Sequence, residues 1–152
     1  EKILAAVLIQ NIDIEAIISH SFGSVASILH LSKQPNPNIK KIVLMASPGK
    51  VKEFFDFWQQ YLGLSSKAIK LISGQFEIEL NNKIEYFVAA NFAKNFTIPA
   101  LIIHDKLDKT TNPNDSVTLN KAWKGSKLIL TEGLGHELKG QELLNEIIDF
   151  IK

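Results

Sequence analysis

A chain of 152 residues amounts to one ordinary domain and can bury roughly two-thirds of its unfolded surface, enough for one hydrophobic core. Apolar residues at 45% and charged residues at 22% exclude collagen-like and disordered classes. Seventeen basic against sixteen acidic residues, a formal charge of +1 with no block of like charge, offer little to attract nucleic acid or an anionic membrane.

All seventeen basic residues are lysine, which removes the planar guanidinium fork favoured for bidentate grip on carboxylate or phosphate. With no cysteine, disulfides, thiolate nucleophiles and cysteine-ligated zinc are excluded. The longest apolar run, Ile3 to Ile9, falls far below the roughly 18 residues a membrane-spanning helix needs, so neither a membrane nor a nucleic acid is expected as a partner. The chain opens on Glu1 directly into the helix-like run Ile3, Leu4, Val7 and Leu8, as though a longer fold were joined part-way. The lack of a leader peptide therefore says little, and a cytoplasmic setting is the default expectation.

Ile14 to Ile18, apolar except for Glu15, reads as a strand, and Val25, Ile28 and Leu29 place a helix after it. Ser19-His20-Ser21-Phe22-Gly23 forms the turn between them. Gln34-Pro35-Asn36-Pro37-Asn38 is a loop by composition, leading into an apolar strand from Lys41 to Ala46 that Pro48-Gly49 stops. From Val51 to Phe96 the pattern turns aromatic-rich and helix-like, with Phe54, Phe55, Trp58 and Tyr61 and then Ala68, Ile69 and Ile72, so residues 51–96 are expected to be a helical cap or insertion. Packing within that cap accounts for its aromatic stripe, and a hydrophobic acyl or alcohol pocket is the sharper alternative. A strand resumes over Pro99 to His104, a helix is expected over Val117 to Trp123 behind Pro113, and Lys127 to Thr131 is the last strand. Leu143, Leu144, Ile147, Ile148 and Ile151 stripe one face of a closing helix. Strands alternating with helices, each strand a nearly continuous apolar run, argue for an α/β fold with a mostly parallel sheet flanked by helices on both faces.

In open parallel sheets ligands bind beyond the carboxyl ends of the strands, and three residues fall there. Ser21 lies in a tight strand-to-helix turn with small neighbours at Ser19 and Gly23, where strand and helix are expected to pass close together; such a turn pushes its side chain outward. The next backbone N–H, that of Phe22, falls at the start of the helix, where free amides and the helix dipole favour developing negative charge, and would make half of an oxyanion hole. Taken alone, Ser21 reads equally well as a helix N-cap. Asp108 sits four residues beyond the strand that finishes at His104, where an aspartate could accept from an imidazole and hold its tautomer; alone it would be a solvated turn residue. His136 follows the last strand inside Gly133-Leu134-Gly135-His136 and is the side chain best suited to take up a proton and return it, although a single histidine there more often just opens a helix. Their joint occurrence, nucleophile, acid and base in that order, each just past a different strand, is what points to chemistry.

At this point the chain resembles the C-terminal part of an α/β-hydrolase fold protein, from the nucleophile elbow onward. Ala16-Ile17-Ile18-Ser19-His20-Ser21-Phe22-Gly23 is similar to that superfamily's strand and G-H-S-x-G elbow. Pro99 to Asp108 is similar to its acid-bearing strand and loop, and Gly133 to His136 to its G-x-G-H histidine loop. The resemblance covers nearly the whole chain outside the cap. It implies a serine hydrolase using Ser21, Asp108 and His136, with the Phe22 N–H as oxyanion donor, on small, uncharged, moderately hydrophobic esters and without a cofactor. Two positions depart from the pattern: Ser19 stands for the first glycine of the elbow, and Asp105 stands for a glycine after His104, where a second carboxylate is expected to compete with Asp108.

The larger departure is at the front, where the superfamily has further strands and this chain has room only for a helix. Those strands carry a loop with a second oxyanion donor, whose loss typically costs on the order of a hundredfold to a thousandfold in rate, so this chain alone is expected to be a poor catalyst. A partner chain is accordingly expected on an unpaired edge of the strand Ile14 to Ser19, whether the missing half or another copy. A non-catalytic member that serves as a binding or assembly module is the alternative reading. Two further patterns are decoys. Gly135 to Gly140 lacks the lysine of a phosphate loop, and His136-Glu137 lacks the second histidine of a zinc-protease helix, so no nucleotide and no metal are expected. His20 reads as scaffold of the elbow and His30 as an ordinary helix residue, and neither shares a ligand geometry with His104.

Overall fold

The computed structural model describes residues 2–10 and 13–152; Glu1, Asn11 and Ile12 lie outside the described residues. Helix α1 (Lys2–Gln10) precedes strand β1 (Ala16–His20), which feeds α2 (Phe22–Lys33) and then β2 (Lys41–Met45). A helical stretch of α3 (Val51–Tyr61), α4 (Ser66–Leu80), a 3-10 turn (Ile84–Tyr86) and α5 (Ala89–Ala93) separates β2 from β3 (Ala100–Asp105). Helix α6 (Pro113–Ala122), β4 (Ser126–Thr131) and α7 (Gln141–Ile151) complete the chain.

The four strands form one parallel sheet in the order β1-β2-β3-β4, so successive strands are neighbours and every connection is a crossover. Parallel strands need cover on both faces, and the side chains alternate accordingly. Ile42 and Leu44 of β2 and Ala100 and Ile102 of β3 point to the face covered by α1, α2, α5 and α6, where Leu8, Ile28, Leu119 and Trp123 pack against them. Val43, Leu101 and Ile103 point the other way, onto Leu143 and Ile147 of α7 and onto Leu138. A third cluster joins Val25 and Leu29 of α2 to Val51 and Phe55 of α3 and to Ile84 and Phe87. The last helix before β3 packs differently from α3 and α4, because Ala89 and Ala93 of α5 belong to the main core beneath the sheet.

Several boundaries move from their expected places. Strand β1 is shifted toward the turn relative to Ile14–Ile18, because its ladder with β2 pairs Ala16 with Lys41 and runs on to His20 opposite Met45, while Ile14 packs beside the core ahead of the strand. Helix α6 starts at Pro113 rather than Val117, since the Asn112 side chain accepts from the Asn114 amide at 3.0 Å and Pro113 takes the first helical position, where a missing N–H costs nothing. Among the described residues β1 pairs on one side only, and Ile18 on that strand is 52% exposed. Among the described residues no helix is long and apolar enough to cross a membrane.

Candidate active site

Ser21 follows the last residue of β1 and precedes the first residue of α2, and its backbone is bent to φ 53° and ψ −124°. That region is sparsely populated for any residue with a Cβ and costs on the order of 1–3 kcal/mol, a strain the surrounding hydrogen bonds must hold. The Ser21 amide donates to the Met45 carbonyl at 2.8 Å, which pins the bend to the end of β2. Although Ser21 occupies the N-cap position, its hydroxyl accepts from no amide of α2, so the capping reading does not apply. The hydroxyl lies instead 3.1 Å from His136 Nε2. Gly23 is less tightly constrained than expected: a Cβ there would meet Ser19 Cβ at 3.8 Å, ordinary van der Waals contact.

His136 reaches this position because Gly133 at φ 97° and Gly135 at φ 58° carry the chain through left-handed conformations between β4 and α7. Its Nδ1 lies 2.8 Å from Asp108 Oδ2, with the Asp108 side chain wholly buried and that of His136 18% exposed. A ring donating Nδ1–H to the carboxylate leaves Nε2 free to accept from the Ser21 hydroxyl, the tautomer a general base needs. Burial pushes the Asp108 carboxyl up, but hydrogen bonds from His136, from the Thr110 and Thr111 amides and from the Thr111 hydroxyl outweigh it and hold the group below the usual carboxylate range. Ser21, Asp108 and His136 are thus brought together although 115 residues separate the first from the last. Phe22 opens α2, so its amide is among the first-turn donors that have no acceptor within the helix.

Beside this group lies a cavity of about 200 Å³ lined by Pro48, Glu53, Phe54, Phe57 and Thr110 to Asn112. It adjoins the site at two points: the Phe54 ring meets the Phe22 ring edge-on at 4.9 Å, and Thr111 Oγ1 donates to Asp108 Oδ2 at 2.8 Å.

No family model matches the chain, and no curated protein does. Solved structures do match. A serine hydrolase from Cycloclasticus zankles superposes at TM-score 0.69 and 17% identity over 97% of this chain and 67% of its own, and a bromoperoxidase from Bacillus anthracis at 0.69 and 17% over 97% and 71%. An esterase from a Rhodococcus species matches at 0.66 and 14% over 97% and 69%. The chain has the α/β-hydrolase fold. Its neighbours of that fold are bromoperoxidases, esterases and hydrolases, and at 14–17% identity the likeness speaks for architecture alone.

Within the α/β-hydrolase frame, Asp105 turns out not to compete with Asp108. Alternation along β3 sends it to the opposite face from His104, where its carboxylate accepts from Leu107 N at 2.9 Å and from Thr131 Oγ1 and Leu134 N, each at 2.8 Å. Burial opposes ionisation there, but these bonds win and the carboxyl falls to about 2. Asp105 therefore ties the histidine loop to β3.

Three contributors escaped the motif reading. Thr111 braces Asp108, and its spacing of three from an aspartate at a strand end was the available signal. His20 is more than scaffold of the elbow: its Nε2 lies 2.8 Å from the His136 carbonyl, and the two rings meet at 4.9 Å. His104, set aside for lack of any shared geometry, approaches Asp108 Oδ2 at 3.2 Å. Among the described residues no group of three or more histidine, aspartate or glutamate side chains is arranged to hold a metal.

Proposed function

We propose that the chain is a serine hydrolase of small, uncharged, moderately hydrophobic carboxylic esters. Ser21 is the nucleophile, His136 the base and then the acid, Asp108 the group that orients His136, and the Phe22 N–H an oxyanion donor. The observation that carries this reading is the pair of distances in line, 3.1 Å from Ser21 Oγ to His136 Nε2 and 2.8 Å from His136 Nδ1 to Asp108 Oδ2. In the cycle Ser21 Oγ bonds to the ester carbonyl carbon while its proton passes to His136 Nε2, and the oxyanion is met by the Phe22 amide. Collapse breaks the bond to the leaving alkoxide, which takes the proton back from His136 and departs as an alcohol. Water, deprotonated by His136, then attacks the acyl-enzyme, and the acid leaves as Ser21 regains its proton.

The uncharged, hydrophobic preference rests on the walls of the neighbouring cavity, where Pro48, Phe54 and Phe57 offer apolar surface to an acyl or alcohol group. In this reading residues 51–96 form the cap, and α3 supplies its wall of that cavity through Glu53, Phe54 and Phe57. Labelling with a fluorophosphonate tests the reading: the chain is expected to be labelled, slowly as the single donor at Phe22 allows, and Ser21→Ala is not. Unchanged labelling of Ser21→Ala overturns it.

The open side of β1 supports a partner as well. Strand β1, paired on one side only among the described residues, with Ile18 exposed beside Met45, Leu138, Leu143, Leu144 and Ile147, is a surface for a further strand supplied by another chain. Size-exclusion chromatography is expected to show association that Ile18→Lys abolishes. A well-behaved monomer without a companion polypeptide speaks against it.

A further inference from the structure

We infer that His104 is a positioning residue of the proposed hydrolase, standing against Asp108 opposite His136 and linked to it through Thr111, so that a polar chain runs Ser21, His136, Asp108, Thr111, His104, Ser116; this rests on the hydrolase reading. His104 and Ser116 are both fully buried, between β3 and α6. Two buried polar side chains there must find partners or cost stability, and apolar residues would fill the same space without that demand. The partners point at the site. His104 Nδ1 lies 2.7 Å from Ser116 Oγ, and Nε2 lies 3.2 Å from Asp108 Oδ2, 3.2 Å from Thr111 Oγ1 and 3.3 Å from the Thr111 carbonyl.

Proton placement follows from what each partner can do. Burial lowers the His104 pKa, against the pull of the Asp108 charge, which favours the neutral ring with one N–H. A carboxylate and a carbonyl can only accept, so that proton sits on Nε2, and the Ser116 hydroxyl donates to Nδ1. Asp108 Oδ2 then receives the His136 N–H at 2.8 Å and has the His104 Nε2–H beside it at 3.2 Å, that N–H being bonded to the Thr111 carbonyl at 3.3 Å, while Oδ1 is held by the Thr110 and Thr111 amides. The second imidazole braces Thr111, which holds the carboxylate, and its N–H edge beside Oδ2 tempers the charge on the oxygen that grips His136, which moderates its hold on the imidazolium formed during reaction.

The other titratable groups near this chain are few. His20 from the end of β1 meets the His136 ring at 4.9 Å, Glu137 adjoins both, and Asp105 is engaged on the far face of β3. Removing the Nε2–H donor is therefore expected to act through Asp108.

The test compares the native chain with His104→Leu, His104→Gln and Ser116→Ala, following the rate of fluorophosphonate labelling of Ser21 against pH. Gln keeps an N–H near the place of Nε2 and Leu does not. His104→Leu is expected to label about tenfold more slowly, with the acid limb about half a pH unit higher, because a less tempered carboxylate holds the imidazolium to higher pH. His104→Gln is expected to restore the native limb and most of the rate, and Ser116→Ala to fall between. Slower labelling with an unmoved acid limb, or Gln no better than Leu, overturns the inference. Nitrogen NMR of His104 in the native chain guards against a Leu variant that fails to fold: the Nε2–H tautomer is expected, and an Nδ1–H tautomer or a charged ring near pH 7 overturns the chain. Labelling that is unchanged in Ser21→Ala removes the hydrolase reading instead, and the His104 tautomer then decides the contacts of His104 by itself.

Discussion

Asp105 Oδ2 accepts from the Leu134 amide at 2.8 Å and so fastens the loop bearing His136 to the last residue of β3. The same oxygen takes the Thr131 hydroxyl, also at 2.8 Å, which joins the ends of β3 and β4. One carboxylate thus fixes where two neighbouring strands release their loops.

This carboxyl, lowered to about 2 in the folded chain, contributes stability that is fully present above the ordinary carboxylate pKa of roughly 4 and is lost as pH falls toward 2. Asp105→Asn is expected to lower Tm near neutral pH by roughly 4–8 °C, since charged hydrogen bonds to two amides and a hydroxyl weaken. Thermal melts from pH 6 to pH 2 check the sign: the gap between native and variant should narrow toward pH 2. A constant gap would show that the charge is not what matters.

Ser21 holds φ at 53° and ψ at −124°, a conformation that glycine adopts freely. Ser21→Gly is expected to abolish labelling and yet raise unfolding stability by about 1 kcal/mol over Ser21→Ala, because alanine keeps the strained Cβ. Urea midpoints of the two variants decide it; equal midpoints would mean that the bend carries no strain.

Thr111 donates its hydroxyl to Asp108 Oδ2 at 2.8 Å from a position partly shielded from solvent. Thr111→Val keeps the shape and removes the donor, and is expected to slow labelling of Ser21 about tenfold, whereas Thr111→Ser stays near native. Stopped-flow labelling of the three proteins provides the comparison.

Phe54 stands between Phe22 and Trp58, with ring centroids 4.9 Å and 6.0 Å away, and lines the cavity beside the site. Phe54→Ala enlarges a space of about 200 Å³ and is expected to shift preference toward longer acyl chains. The ratio of hydrolysis of p-nitrophenyl octanoate to acetate should rise severalfold, and an unchanged ratio would place the acyl group elsewhere.

The succession of strands and helices was legible in the chain itself, because a parallel strand buried on both faces must be apolar nearly throughout, as Lys41 to Met45 and Ala100 to His104 are. Ser21, Asp108 and His136 stood out there as candidates, since each follows a strand and each proposed role admits few residue types, and the fold brings them within hydrogen-bonding distance. What no local pattern carried was which way a side chain turns after its strand ends. Asp105 and His104 are adjacent in sequence, yet pleating sends one carboxylate to brace the histidine loop and the neighbouring imidazole to the far side of Asp108. Thr111, His20 and Ser116 likewise acquire their partners only when β1, β3, β4 and α6 are laid side by side. Order and residue type along the chain determined the frame and the candidate groups. Contacts between residues far apart in sequence decided how those groups are held, because a hydrogen bond depends on distance and direction in space, to which spacing along the chain is blind.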